Sequence, residues 1–185
     1  MQTVRRKLTL AALALTVAFT AAACTAMPIT PVTSTVPSVD INRYIGTWYE
    51  VASVKQFFSV GLVNTKAVYS LLPNGAGVLV NNSGNYFTAD GLPSEIFGTA
   101  VPVDSSNARL NVSFTGSNGS EGLGNYWIVD LDPDYQWAIV SDPTGESCFF
   151  LSRTKTITPE LRADLEARAK AKGVNLANLT DTPQF

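Results

Sequence analysis

The sequence contains no histidine and only two cysteines, and these absences restrict the chemistry open to it. Without histidine there is no serine–histidine or cysteine–histidine nucleophile pair, and no histidine ligand for a metal or a haem. Two cysteines are too few for a zinc site made of four thiolates. We therefore expect no metal, no cofactor and no catalytic residue, which favours a binding protein over an enzyme.

Charge is also scarce, at 15% of residues, with a net charge of −2 and no basic run after the N-terminus. A domain that binds nucleic acid needs a basic patch, so nucleic acid is not an expected partner. A chain of 185 residues is long enough for one domain with a substantial core.

The first 23 residues have the pattern of a signal peptide. Arg5, Arg6 and Lys7 form a positive segment, the apolar run Leu8–Phe19 follows, and Ala21–Ala23 supplies small residues for cleavage. The apolar run is shorter than the roughly 20 residues of a membrane-spanning helix. The paired arginines leave both general and twin-arginine export open.

Cys24 directly follows these small residues, and the segment resembles the lipobox of bacterial lipoproteins. That resemblance implies that Cys24 is acylated and holds the protein at a membrane of the bacterial cell envelope. Ala21 stands where leucine is usual, so an ordinary secreted protein cut near Cys24 is the alternative. Residues 24–38 are rich in threonine, proline and serine, which predicts a flexible tether before a domain at 39–185.

The rest of the chain predicts β-strands separated by turns rich in Asp, Asn, Pro and Gly. Short strands at regular spacing indicate a sandwich or an up-and-down barrel. The eight predicted strands are Trp48–Gln56, Lys66–Leu72, Gly77–Asn82, Ser94–Val101, Arg109–Phe114, Asn125–Leu131, Gln136–Ser141 and Ser147–Thr154.

One helix is predicted after the last strand. Thr158 is a suitable N-cap, Pro159 suits the first helical position, and Gly173 ends the helix. Leu161, Leu165 and Ala169 share one face, which would lean on the outside of a barrel. The tail 174–185 either adds a short strand or lies over the surface.

Three motifs in order resemble the lipocalin family, most closely its bacterial and apolipoprotein D-like branch. They are Gly46 to Glu50 (GTWYE), Asp132 to Tyr135 (DPDY) and Leu151 to Thr154 (LSRT) before the helix. The resemblance covers about residues 39–185, although the loop 117–122 is unusually polar. It implies an all-β fold: an eight-stranded, up-and-down antiparallel barrel with one C-terminal α-helix packed outside.

The same resemblance implies a closed end built from Gly46, Trp48 and Arg153. In lipocalins the arginine that ends the eighth strand packs over the tryptophan of the first strand. A guanidinium over an indole is a favourable cation–π pair. These three residues are therefore expected to be structural and not to contact ligand.

Alternation along the strands, read from Trp48, Arg153 and a tyrosine that resembles the family's pocket tyrosine, predicts the residues that face the barrel lumen. Cys148 and Phe150 face outward on this parity, and Glu50, Ala52 and Val54 face inward. The predicted ligand-binding residues are Tyr44, Ala67, Tyr69, Asn81, Phe114, Trp127 and Val129.

An apolar lumen with few polar atoms suits a hydrophobic ligand of the fatty acid or lysophospholipid class, carried by an envelope protein. Two alternatives remain at this stage: an enzyme on the same scaffold, and a structural lipoprotein whose barrel is filled by its own side chains. The apolar loop Phe57–Leu62 could be a lid, a membrane-contacting patch, or a loop folded over its own barrel.

Overall fold

The computed structural model describes residues 31–114 and 122–185, and the leader 1–23, Cys24 and most of the polar loop lie outside these ranges. Nine strands and two α-helices occur in this part of the chain. The elements are α1 (Ile41–Tyr44), β1 (Gly46–Val54), β2 (Leu62–Leu71), β3 (Val78–Tyr86), β4 (Pro93–Pro102), β5 (Arg109–Ser113), β6 (Tyr126–Leu131), β7 (Trp137–Ser141), β8 (Cys148–Ser152), α2 (Pro159–Ala171) and β9 (Leu179–Asp181).

The first eight strands form the predicted barrel. Each strand pairs antiparallel with its neighbour in sequence, and β1 closes the sheet by pairing with both β8 and β2. All eight strands predicted from the sequence are present, and β2 and β3 extend several residues further than predicted. Since closure leaves no free edge among these eight strands, the ladder hydrogen bonds of the barrel are satisfied internally.

The ninth strand comes from the C-terminal tail, which confirms the short-strand alternative. It pairs with Ala52, Ser53 and Val54 in the half of β1 nearer the mouth. It lies on the same edge of β1 as β2, whose pairing with β1 ends at Tyr49. The tail therefore occupies the gap that opens where β1 and β2 diverge.

Helix α2 packs on the outside of the barrel, as predicted. The Thr158 hydroxyl accepts a hydrogen bond from the backbone N–H of Leu161, and Pro159 is the first helical residue. Leu165 and Ala169 are fully buried against the outer faces of β6, β7 and β8, where they meet Phe150. Phe150 and Cys148 face outward into this contact, as the alternation predicted.

The closed end is sealed by α1 and by Arg153. The Trp48 indole N–H donates to the Tyr44 carbonyl at 2.8 Å, so α1 lies across the base of the barrel. The Arg153 guanidinium carbon is 3.7 Å from the Trp48 ring centroid. Gly46 has φ +97°, and a side chain there would approach the guanidinium, so both its conformation and its surroundings favour glycine.

Part of the predicted flexible tether is instead bound to the barrel. The backbone N–H of Val32 donates to Pro143 O at 3.3 Å, and that of Val36 donates to Ile128 O at 3.0 Å. The Val32 side chain is buried in the apolar contact beneath α2. Residues 32–36 of the expected tether therefore lie along the barrel, held by these backbone hydrogen bonds and by the buried Val32 side chain. Residues 24–30 lie outside the described ranges.

We predict that Arg153→Ala destabilises the protein by about 2–4 kcal/mol, because the change removes charge-assisted hydrogen bonds and the cation–π contact together. The guanidinium donates to the backbone oxygens of Thr47, Arg43, Ile45 and Tyr135 at 2.8 to 3.2 Å. Urea unfolding would measure the loss. Arg153→Lys should recover little of it, since one ammonium group cannot reach all of these acceptors.

The matched control is Lys66→Ala, an exposed cation on the outer face of β2, which should change stability by less than about 0.5 kcal/mol. An Arg153→Ala protein as stable as this control would contradict the role assigned to the closed end.

Candidate functional site

The open end of the barrel lies opposite Trp48. Strand β1 runs from the closed end to Val54, which pairs with Cys148 at the start of β8. The β1–β2, β3–β4, β5–β6 and β7–β8 loops therefore surround the mouth. The lumen between this mouth and Trp48 is the candidate ligand site.

Register places Ala67 and Tyr69 of β2 inside the lumen, as predicted. Ala67 pairs with Asn82 and Tyr69 with Val80, so these four residues share the inner face. Both predicted residues belong to the inner apolar cluster of the barrel.

Asn81 was predicted to line the lumen, and that prediction is wrong. It pairs with outward-facing Val68, and its side-chain amide donates to Glu95 at 2.9 Å on the outer surface. Its neighbour Asn82 faces inward instead, and the Asn82 Oδ1 atom is buried with no hydrogen-bond partner among the described residues. The assignment was one residue out of register, which exchanges the two faces of a strand.

Trp127 and Val129 were also predicted to face the lumen, and both face outward. Val129 is fully buried beneath α2, and the Trp127 ring packs against the same outer cluster. The Trp127 indole N–H donates to the Leu123 carbonyl at 2.8 Å. The prediction assumed that large aromatic area must point into the barrel, but the helix makes the outer face of β6 apolar as well.

The inward residues of β6 are therefore Tyr126 and Ile128. Both belong to or pack on the inner cluster, and Tyr126 pairs with inward-facing Leu110 of β5. Phe114 packs against the same cluster, as predicted. A side chain at Gly98 would come within 2.7 Å of the Phe114 ring, so the glycine gives that ring its place in the lumen.

Three tyrosines form the polar floor of the lumen. The Tyr126 hydroxyl is 2.8 Å from the Tyr44 hydroxyl and 3.3 Å from the Tyr69 hydroxyl. Burial raises the pKa of Tyr69 to about 12 and raises the pKa values of Tyr44 and Tyr126 well above their ordinary value. The floor is therefore uncharged at neutral pH. Tyr44 and Tyr69 were predicted lumen residues; Tyr126 was missed.

A second polar group lies higher in the barrel, around Glu50. Its carboxylate accepts hydrogen bonds from Ser53 at 2.8 Å, from Lys55 at 2.5 Å and from Thr182 at 2.5 Å. Glu50 faces inward as predicted. Ala52 and Val54 do not, because a bulge between Glu50 and Ala52 reverses the alternation along the rest of β1. Lys55 and Thr182 were missed, since their contact with Glu50 depends on that bulge and on β9.

The inward-facing side chains near the mouth are more exposed than those at the base. Ile96 pairs with inward-facing Asn82, yet 44% of its surface is exposed. Phe114 and Phe149 pack on the inner cluster and are only half-buried. Below them, Tyr44 and Trp48 are almost fully buried. The lumen is thus closed by side chains at its base and accessible near its mouth.

The one cysteine among the described residues, Cys148, is not placed to act as a nucleophile. It is buried on the outer face of β8 beneath α2, away from the lumen. Burial raises the pKa of its thiol to about 12, so the thiol is protonated at neutral pH. The inward-facing groups described above can bind and orient a ligand.

Comparison with known proteins supports this geometry. The lipocalin-like domain family matches residues 39–184. The outer membrane lipoprotein Blc of Escherichia coli K12 is 35% identical over 166 residues, which cover 89% of this chain and 90% of the relative. Temperature-induced lipocalin-1 of Arabidopsis thaliana is 32% identical over 155 residues, covering 80% and 81%.

Solved structures show the same fold at lower identity. Apocrustacyanin C2 superimposes with a TM-score of 0.61 at 18% identity, covering 79% of this chain and 80% of that protein.

We predict that the tyrosine floor makes stability sensitive to alkaline pH. The pKa of Tyr69 is raised from 10.0 to about 12, because the folded protein holds its hydroxyl buried and neutral. The stability that this hydroxyl contributes is therefore fully present below pH 10 and is lost as pH rises through about 12. Urea unfolding across that range should show a loss of about 3 kcal/mol from Tyr69 alone. Tyr69→Phe should reduce this loss, and Tyr86→Phe, outside the floor, should leave it unchanged. Equal alkaline loss in both variants would contradict the assignment.

Proposed function

The chain belongs to the lipocalin family, and we propose that it is an envelope-anchored carrier that holds a fatty acid or lysophospholipid-like molecule in its lumen. Binding of a hydrophobic ligand in the barrel is the function typical of the family. The observation that carries the proposal is an apolar lumen with a sealed, uncharged floor and an accessible upper half.

The electrostatics of the lumen favour one orientation of such a ligand. Among the described residues, the charged groups that face inward are Glu50 and Lys55, and they pair with each other at 2.5 Å near the mouth half of β1. The floor offers neutral tyrosine hydroxyls and no free cation among the described residues. Burying an unpaired charge is costly. The ligand's charged end therefore stays at the mouth, and its acyl chain points toward the floor.

The apolar character of the lumen walls favours this ligand class. The walls near the floor are Ala67, Val80 and Ile128, all buried and apolar. A single acyl chain makes dispersion contacts with such walls and needs no hydrogen bonds of its own. Asn82 Oδ1 and the mouth are left for polar atoms nearer the head group.

Attachment to the envelope is proposed from the sequence and from the relatives. The lipobox-like segment ends at Cys24, and the similar Escherichia coli protein is named an outer membrane lipoprotein. Among the residues that the structure describes, no helix is long and apolar enough to cross a membrane. An acylated Cys24 would supply the attachment.

We predict that affinity for saturated fatty acids rises with chain length, by about fourfold per methylene, until the chain reaches the tyrosine floor. Calorimetric titration of the protein with a series from short to long chains would show a rise and then a plateau. Ala67→Leu should move the plateau to a shorter chain, because the larger side chain occupies the inner face beside Trp48.

The matched control is Val68→Leu, one residue along β2 and facing solvent, which should leave the plateau unchanged. A flat response across all lengths would favour the structural lipoprotein with a filled barrel.

We predict that Cys24→Ser releases the protein from the membrane fraction, because one residue is proposed to carry the acyl groups. Fractionation of the native host, followed by mass spectrometry of the N-terminal peptide, would detect both the release and the missing lipid. Wild-type protein that is already soluble would contradict lipidation while leaving the carrier proposal intact.

A further inference from the structure

Part of the barrel mouth presents apolar side chains to solvent. Two loops contribute them: the β1–β2 loop and the β3–β4 loop. We call these five residues the mouth rim: Phe57 (92% exposed), Phe58 (59%), Val60 (60%), Phe87 (75%) and Leu92 (77%). The β1–β2 loop is therefore neither folded over its own barrel nor buried as a lid.

The two loops form one surface because they are bonded to each other. The backbone N–H of Phe87 donates to Gly61 O at 2.7 Å. The Phe87 ring lies over Gly61 so closely that a side chain there would come within 2.5 Å of it. Glycine at position 61 therefore permits the contact, and the rings of Phe57 and Phe58 pack edge to face beside it, 5.6 Å apart.

Phe87 is held in an unusual backbone conformation. Its φ is +66°, a region that a large L-residue rarely adopts and that is often retained where it serves function. The conformation leaves three quarters of the Phe87 surface exposed rather than tucked against the barrel. Packing alone would favour the opposite arrangement.

Charge is nearly absent from these loops. In the β1–β2 loop, residues 55–61 carry only Lys55, which is paired with Glu50, and in the β3–β4 loop residues 87–92 carry only Asp90. Contiguous apolar surface on a soluble domain marks a site of contact with another apolar phase. Because the rim lacks basic residues, its partner is recognised through apolar burial rather than through charge.

The course of the N-terminal segment identifies that phase. Val32 is bonded to Pro143 in the β7–β8 loop, so the first described residues lie at the same end of the barrel as the rim. Seven peptide units separate Cys24 from Pro31, a span of at most about 25 Å. This step rests on the proposed lipid anchor, which would hold the mouth within that distance of the bilayer.

We infer that the mouth rim docks onto the lipid bilayer, with its phenylalanine rings in the interfacial region and the lumen opening toward the membrane. The rings lie on two loops that are hydrogen-bonded to each other, and the sealed end with Arg153 faces away. A ligand could then pass between bilayer and lumen without crossing water.

Depth-dependent fluorescence quenching tests this orientation in the full-length, membrane-extracted protein. Phe58→Trp places a reporter in the rim, and Phe97→Trp places one at an exposed apolar position on the outer wall of β4. Each variant is reconstituted with phosphatidylcholine vesicles, with and without brominated acyl chains. The wild-type signal from the native tryptophans is subtracted.

We expect brominated lipid to quench the reporter at position 58 at least about threefold more than the one at position 97, with no loss in high salt. Equal quenching at both positions would mean attachment through the N-terminus alone and would overturn docking, as would failure to associate with vesicles. Self-association without vesicles that Phe57→Ser abolishes would assign the rim to a second copy. Failure of fatty acid binding with intact quenching would contradict only the carrier proposal.

Discussion

The contact between Arg153 and Trp48 is the constraint on which the rest of the barrel depends. A barrel of eight strands must be closed at one end if its interior is to stay dry, and the indole fills that end. The guanidinium then lies 3.7 Å from the centre of the ring and bonds the carbonyls that α1 leaves unpaired. Burial of this charge lowers the pKa of Arg153, yet its acceptors surround it, so the charge is retained. One side chain thereby joins β1, β8 and α1.

The turn from Asp132 to Tyr135 extends the same constraint. The Tyr135 hydroxyl accepts from the backbone N–H of Asp40 at 2.9 Å, and its carbonyl accepts from Arg153 at 3.2 Å. Arg43 lies over the Tyr135 ring at 4.1 Å. The three motifs that carry the family resemblance are thus in contact at one end of the molecule. This explains why the fold could be predicted from the sequence, since these motifs supply the contacts that close one end of the barrel.

The lumen was harder to predict because the motifs at the closed end do not determine which residues of each strand face inward. Tyr69 and Phe114 were placed by alternation, and the structure places them inside. The predicted inward orientation of Trp127 was wrong because α2 covers β6 from outside. Both faces of that strand are therefore apolar, and hydrophobicity does not distinguish them. The predicted inward orientation of Asn81 was wrong because the hairpin register pairs Tyr69 with Val80 rather than with Asn81 or Leu79, which turns Asn81 outward. The bulge after Glu50 has no sequence signal, and it moves Ala52 outward beneath the helix.

The two ends of the barrel differ in a way that a carrier requires. At the base, buried hydroxyls and the guanidinium have partners, and side chains fill the space. At the mouth, Ile96 is accessible, and the rim phenylalanines contact only neighbouring rings and loop atoms among the described residues, so most of their surface faces solvent. Exposed apolar surface weakens solubility, so its retention at one end calls for an apolar phase at that end. A ligand that leaves a bilayer loses hydrophobic contact at every step through water. An apolar rim at the entrance shortens the passage of the ligand through water. The exposed apolar side chains that are unfavourable in water thus favour exchange of ligand with a membrane.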